Sequence, residues 1–142
     1  MATVREQILS RIKTALTGTL NVGTRIYRSR LEAFARNELP AIQIMPITDT
    51  GDQALGGAKL EWDLTVRIQV IVRGATPDVV ADDIVADMHN KLTADPQLGG
   101  YALDIQPQTV NFLLESAEGG AGAIQCDYLV TYRTDAKNLA LQ

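Results

Sequence analysis

The segment from Lys59 to Gly74 places an apolar residue at every second position, and charged or polar residues fill most of the gaps. The apolar positions are Leu60, Trp62, Leu64, Val66, Ile68, Val70 and Val72. Side chains of a strand point alternately to the two faces of a sheet, so this alternation predicts one long β-strand with one buried face. A fold built around a sheet follows from this segment.

Two segments have helical rather than strand periodicity. The first begins at Thr3, which with Glu6 forms a capping-box pattern, and it ends at Gly18. The second follows Thr76, a predicted N-cap, and runs roughly from Pro77 to Ala94. Its predicted core stripe is Val80, Ile84, Met88 and Leu92.

Six segments have strand character, among them residues 103–105 and 109–115 as two separate strands. We therefore predict the α+β class: a mainly antiparallel sheet with two helices packed on one face, in the order α-β-β-β-α-β-β-β. Residues 1–142 should form a single domain. Within it we expect a flexible arm over residues 48–58 and a frayed tail over residues 135–142.

Composition argues against several classes of function. The net charge is −4 with 13 basic residues, and aromatics are only 5%, so we expect no specific nucleic-acid binding. No apolar run has the length of a membrane span, and the charged N-terminus lacks the apolar core of a signal peptide. We expect synthesis in the cytoplasm and no membrane partner. The single cysteine, Cys126, lies on the apolar side of a strand, which favours a buried core thiol.

The sequence offers little for catalysis. It has no G-x-S-x-G motif, and the glycine spacing of Gly51 to Gly57 lacks the lysine of a phosphate loop. We predict no catalytic residue, no metal site and no cofactor. One alternative from a different class stays open, a small divalent-metal-dependent enzyme using Asp78, Asp82 and His89 on the second helix. A solvated helix face explains those three residues more simply.

Two charged segments are candidates for contacts between subunits. Arg25, Arg28 and Arg30 lie on and after a short strand, and Asp83 and Asp87 lie on the second helix. One interpretation is a soluble edge strand protected by charge, and the other is a contact with the acidic helix of a neighbouring copy. These five charged residues are therefore the candidates for an inter-subunit interface.

A glycine-rich segment, Thr48 to Ala58, separates the second and third predicted strands. It contains no large apolar residue other than Leu55, so we expect it to be mobile in an isolated subunit and ordered on docking. The candidate docking residues are Asp49, Gly51, Asp52, Leu55, Gly56 and Gly57.

The order of these motifs resembles the tail terminator, or tail completion, proteins of long-tailed bacteriophages, of the lambda-like minor tail protein U type. The resemblance is carried by Leu39-Pro40-Ala41-Ile42, the glycine-rich arm, the long strand around Trp62, the aspartate-rich helix, Asp95-Pro96-Gln97-Leu98-Gly99-Gly100 and the closing strand from Tyr128 to Thr134. It extends over nearly the whole chain.

The resemblance implies a structural protein of the virion, assembled in the host cytoplasm. Its subunits form a homo-oligomeric ring, expected to be a hexamer, at the head-proximal end of the tail. Such a ring caps the tail tube protein, stops tube elongation and offers a surface to the head connector or neck protein. A head–tail joining neck protein of the same virion has a similar length and fold and remains the alternative within this class.

Overall fold

The computed structural model describes residues 1–52, 57–115 and 121–142. Its helices and strands are α1 (Val4–Leu16), β1 (Ile26–Arg28), β2 (Ala41–Asp52), β3 (Lys59–Arg73), α2 (Pro77–Thr93), β4 (Asp104–Glu115) and β5 (Ala121–Asp135). Two short 3₁₀ turns, Arg36–Glu38 and Leu98–Gly100, precede β2 and β4. No helix in these ranges is both long enough and apolar enough to span a bilayer.

The five strands form one sheet in the order β1-β2-β3-β5-β4. Three of the four pairings are antiparallel, and β1 pairs with β2 in parallel, so the sheet is mixed. Parallel neighbours need a crossover rather than a tight turn, and residues 29–40 provide it. The predicted α+β class, with a mainly antiparallel sheet and two helices, is confirmed.

Both helices pack on the same face of the sheet. Helix α1 contacts β1 and β2, α2 contacts β3, β5 and β4, and the two helices contact each other. The alternation in β3 continues across β5, because the register sets Leu64 opposite Val130 and Ile68 opposite Cys126. All four of these side chains are buried beneath the helices. The face predicted from periodicity is therefore the core face.

The predicted number of strands was wrong by one. Residues 103–105 and 109–115 were expected to be two strands, but β4 is continuous from Asp104 to Glu115. Its register against β5 shifts between Pro107 and Thr109. Proline has no amide to donate to the ladder, so it produces a local irregularity here and does not end the strand.

The first five residues of the predicted flexible arm, 48–52, belong to a strand. Residues 48–52 continue β2, and Asp52 pairs with Glu61 of β3. Gly51 lies against the Trp62 ring, where an added Cβ would come within 2.8 Å of the indole. This glycine makes room for an aromatic side chain within a strand, so it is not a sign of flexibility. Leu55 and Gly56 fall outside the described residues.

The predicted frayed tail is instead hydrogen-bonded to the domain. The Leu139 carbonyl accepts from the amide of Val4 at 2.9 Å, at the start of α1. Asp135 accepts from two backbone amides of the following turn, and the Gln142 side chain donates to the Tyr101 carbonyl. Polar residues at a chain end predict solvent exposure, but they do not exclude a turn that returns to the surface.

The helix starts were predicted at the correct residues, with one error in chemistry. Thr3 accepts from the Glu6 amide at 3.1 Å, as the capping pattern requires. Thr76 makes no side-chain cap hydrogen bond, although α2 does begin at Pro77. The predicted stripe is right at three positions, whereas Val80 is 44% exposed and Ala81 is buried in its place.

Candidate functional site

The predicted interface arginines all make contacts within their own chain. Arg28 donates two hydrogen bonds to Glu6 of α1, at 3.2 and 3.1 Å. Arg25 donates to the Pro40 and Asn21 carbonyls, at 2.8 and 2.6 Å. These guanidinium groups hold the β1 edge to the rest of the domain. Any contact they make with a neighbouring copy must therefore leave these bonds in place or exchange them.

Arg30 organises the crossover that follows β1. It donates to both carboxylate oxygens of Glu38, at 2.6 and 3.0 Å, and its guanidinium lies over the rings of Tyr27 and Phe34. The hydrogen bond from Arg30, with another from the Ala35 amide, lowers the pKa of Glu38 to about 2. Planar cations suit both a carboxylate fork and an aromatic face. The contacts of Arg30 therefore hold the crossover in a defined conformation.

This loop presents an apolar side chain to solvent. Leu31 directly follows Arg30 and is 99% exposed. The Arg30 carbonyl accepts a hydrogen bond of 2.8 Å from Gln43 of β2, which anchors the loop backbone to the sheet. We call residues 29–35 the Leu31 loop. An exposed leucine on an anchored loop is a candidate contact residue.

The two predicted aspartates of α2 have different roles. Asp87 accepts from the Leu20 amide at 2.8 Å and lies 3.9 Å from Lys91, so it stabilises the turn after α1. Asp83 instead lines an open groove, and it forms no ion pair with any residue that the structure describes. Of these two aspartates, Asp83 is the one without an ion pair among the residues that the structure describes.

The groove beside Asp83 lies between α2 and β4 and has a volume of about 340 Å³. Its walls are formed by Asp78, Val79, Asp82, Asp83 and Phe112, and we call it the α2–β4 groove. Val79 is 66% exposed and Phe112 is 61% exposed. The groove thus combines two apolar side chains with three carboxylates that have no cationic partner in the described ranges.

Strand β4 is the edge of the sheet and is poorly covered. After Ile105 its described side chains are exposed on both faces, although several are large and apolar. The exposed apolar members are Val110, Phe112, Leu113 and Leu114. An exposed apolar edge with unpaired backbone groups is a template for pairing with another chain. The alternation of Val110, Phe112 and Leu114 in the sequence predicts a strand but does not show that its apolar side chains stay uncovered.

The residues of the proposed metal site are not brought together. The Nδ1 atom of His89 lies 2.7 Å from the Tyr128 hydroxyl, and the two rings stack at 5.8 Å. Asp78 and Asp82 are exposed in the α2–β4 groove. Within residues 1–52, 57–115 and 121–142 there is no cluster of three or more acidic, histidine or cysteine residues suited to a metal ion. His89 therefore does not line the groove that Asp78 and Asp82 share, and the three residues of this alternative do not form one site.

The two aspartates of the predicted docking arm differ in their surroundings. Asp49 points into the domain, where it accepts hydrogen bonds from Tyr132 and from Arg5, the latter at 3.3 Å. Burial and the Asp49 carboxylate both raise the pKa of Tyr132, burial being the larger cause. Asp52, by contrast, is exposed at the end of β2. Asp49 is thus a structural residue, and Asp52 remains available to a partner.

The face of the sheet away from the helices carries two ion pairs. Arg67 pairs with Asp127 at 3.0 Å, and Arg133 pairs with Glu61 at 3.2 Å. The hydrogen bond to Asp127 raises the pKa of Arg67. Each pair joins β3 to β5, so opposite charges lie side by side on this open face.

Cys126 is buried, as its position in the alternation of β5 predicted. Desolvation raises the pKa of its thiol to about 11. The reactive thiolate is therefore scarce at neutral pH. A buried core role fits this thiol better than nucleophilic chemistry.

Comparisons with known proteins give a likeness in fold. No family model matches the chain, and no curated protein matches it in sequence. Among solved structures, the chain is similar to one from the "Virion of native gene transfer agent (GTA) particle", with a TM-score of 0.55 and 13% identity. The alignment covers 92% of each chain. The two chains therefore share their fold over nearly their whole lengths.

Proposed function

We propose that this protein is a structural component of a phage-like virion and, within it, the tail terminator. The observation that carries the proposal is the full-length fold likeness to a chain of the gene transfer agent virion. The order of sequence motifs, which resembles tail terminator proteins, supports the finer assignment. In this role the protein caps the tail tube, stops its elongation and provides the surface for the head connector.

The distribution of surface features suits a ring. The Leu31 loop follows β1 at one edge of the sheet, and the α2–β4 groove lies at the opposite edge. Rings are built from two different patches on each subunit, one that gives and one that receives. A head-to-tail ring, which the family resemblance implies to be hexameric, uses both edges of every copy. Its partners are further copies, the tail tube protein and the head connector or neck protein.

The proposal assigns no catalytic step to the chain. The role is one of assembly, located at the head-proximal end of the tail after assembly in the host cytoplasm. Charged rims at the two sheet edges contribute to ring formation, so we expect added salt to weaken association. Exposed charges are screened beyond about 8 Å at physiological ionic strength. Sedimentation velocity over a salt series measures this effect.

Deleting the gene from a phage-like element that encodes this chain tests the function. Tails of uncontrolled length, seen by electron microscopy, are the expected result. Supplying the wild-type protein should restore normal length, and rings should be visible at the tube end. Tails of normal length that fail to join heads would instead identify a head–tail joining neck protein. Normal joined particles without the protein would contradict both assignments.

A further inference from the structure

We propose that the α2–β4 groove of one copy receives the Leu31 loop of the next, with Leu31 as the apolar anchor between Val79 and Phe112. This inference rests on the proposed ring and names the contact that joins its subunits. The partner is a second copy of this chain.

The loop is prepared for insertion. Leu31 is almost fully exposed, so it covers nothing within its own chain. The bonds from Arg30 to Glu38 and from Gln43 to the Arg30 carbonyl hold the adjacent backbone in place. A side chain presented on an ordered segment loses less conformational freedom on binding than one on a mobile segment. Leu31 therefore fits the role of a central anchor.

The groove offers the matching chemistry. Val79 and Phe112 provide apolar walls, and Phe112 comes from the uncovered edge strand β4. Burying an exposed leucine between them removes apolar surface of both copies from water. It also covers part of an edge that proteins otherwise protect with charge or with another element.

Charge complementarity selects this occupant. Asp78, Asp82 and Asp83 surround the groove without a cationic partner among the described residues. Two arginines flank the Leu31 loop: Arg36, which is exposed, and Arg25, which among the described residues donates to uncharged carbonyls. Complementary rim charges steer an encounter and fix its orientation.

One residue opposes the contact. Glu32 directly follows Leu31 and is exposed, so in the docked state its carboxylate lies near the aspartates of the groove. Like charges in an interface disfavour association. Replacing Glu32 with lysine should therefore strengthen binding between copies, which is an unusual result for a change at a random surface position.

The geometry forces this contact to be intermolecular. The sheet order places β1 and β4 at opposite ends of five strands, so a loop cannot reach the groove of its own chain. Each copy then gives one loop and receives another, and the chain of contacts either closes into a ring or continues as a filament.

Site-directed cross-linking tests the pairing at any affinity. Leu31→Cys and Phe112→Cys are prepared as separate proteins, one isotopically labelled, then mixed and treated with a short bismaleimide. Cys126 is buried and should react little. Mass spectrometry should find the labelled–unlabelled pair in several-fold excess over each homodimer. The matched control is Leu20→Cys with Phe112→Cys, because Leu20 is also an exposed leucine, on the turn after α1. Equal yields for the two mixtures would overturn the proposed contact.

Acidic substitutions separate this inference from the proposed function. Leu31→Asp and Phe112→Asp should each abolish ring formation, whereas a mixture should give dimers, because one intact loop and one intact groove remain. Rings formed equally well by Leu31→Asp would overturn the loop contact and leave the terminator role standing. Selective cross-linking together with normal tails in the gene deletion would support the loop contact and overturn the terminator role.

Discussion

Strand β3, in the interior of the sheet, and strand β4, at its edge, have similar apolar side chains that differ in burial. Both alternate apolar residues, and both pair antiparallel with β5. The apolar face of β3 lies under the helices and is buried from Leu64 to Val72, whereas Val110, Phe112 and Leu114 of β4 remain exposed. The two strands differ in how well a helix covers them. Helix α2 packs mainly on β3 and β5 and covers the edge strand β4 less. An apolar pattern therefore predicts a strand, but it does not by itself predict burial.

The sharpest test of this comparison is to remove a large side chain from each strand. Leu64→Ala should lower the free energy of unfolding by about 2–5 kcal/mol, because Leu64 is fully buried and the change leaves a cavity. Phe112→Ala should change it by about 0.5 kcal/mol or less, as is usual for exposed positions. Urea denaturation of the isolated domain measures both. A large loss at Phe112 would show that the edge is covered in solution.

The junction between the two regions should be sensitive to added volume. A Cβ at Gly122 would lie 2.6 Å from the Cβ of Pro77, at the start of α2, so Gly122→Ala should cost about 1–3 kcal/mol through overpacking. Ala123→Ser, on the other face of β5, is the control and should be nearly neutral. Equal stability of the two variants would mean that α2 packs less closely on β5 than the 2.6 Å separation indicates.

Acid should loosen the Leu31 loop before it unfolds the core. The Arg30 and Ala35 hydrogen bonds lower the pKa of Glu38 from 4.5 to about 2. A lowered carboxyl pKa stabilises the fold fully above pH 4.5, and this contribution is lost as the pH falls toward 2. The protection of the amides of residues 30–38, measured as exchange relative to the intrinsic rate at each pH, should therefore fall across that window. Glu38→Gln should exchange faster already at neutral pH and respond less to acid.

The smallest expected effect concerns the exposed side of α2. Lys91 lies 3.9 Å from Asp87 one helical turn away, and such pairs contribute about 0.3–0.5 kcal/mol. Lys91→Ala should lower stability by that amount. Asp87→Ala should cost more, since it also removes the acceptor of the Leu20 amide. Identical losses would indicate that the turn after α1 does not depend on this carboxylate.

Local rules predicted the elements well and their surroundings poorly. Periodicity located both helices, the long strand and the core face of β5, because side-chain direction follows directly from backbone geometry. It did not predict the parallel pairing of β1, which depends on contacts between distant segments. It also assigned Gly51 to a flexible arm, since a sequence does not show that an indole lies against that glycine.

The candidate site was predicted only in outline. The arginine segment and the aspartate helix were recognised as charged surfaces, and their placement at opposite edges needed the sheet order. Intrachain partners of Arg28 and Asp87 were invisible in the sequence, because Glu6 and Leu20 lie far from them along the chain. Leu31 and Phe112 were not predicted as contact residues, because the exposure of an apolar residue depends on which elements fail to cover it.

The paired charges of the open face have a consequence for the kinetics of the proposed assembly. Arg67 with Asp127, and Arg133 with Glu61, cancel one another at short range. The field of such a pair falls off faster with distance than the field of an unpaired charge, even within the Debye length. Approaching molecules are oriented first by the uncompensated carboxylates of the α2–β4 groove. In the proposed ring, the groove at this edge of the sheet therefore contributes more than the open face to the attraction and orientation of an approaching copy.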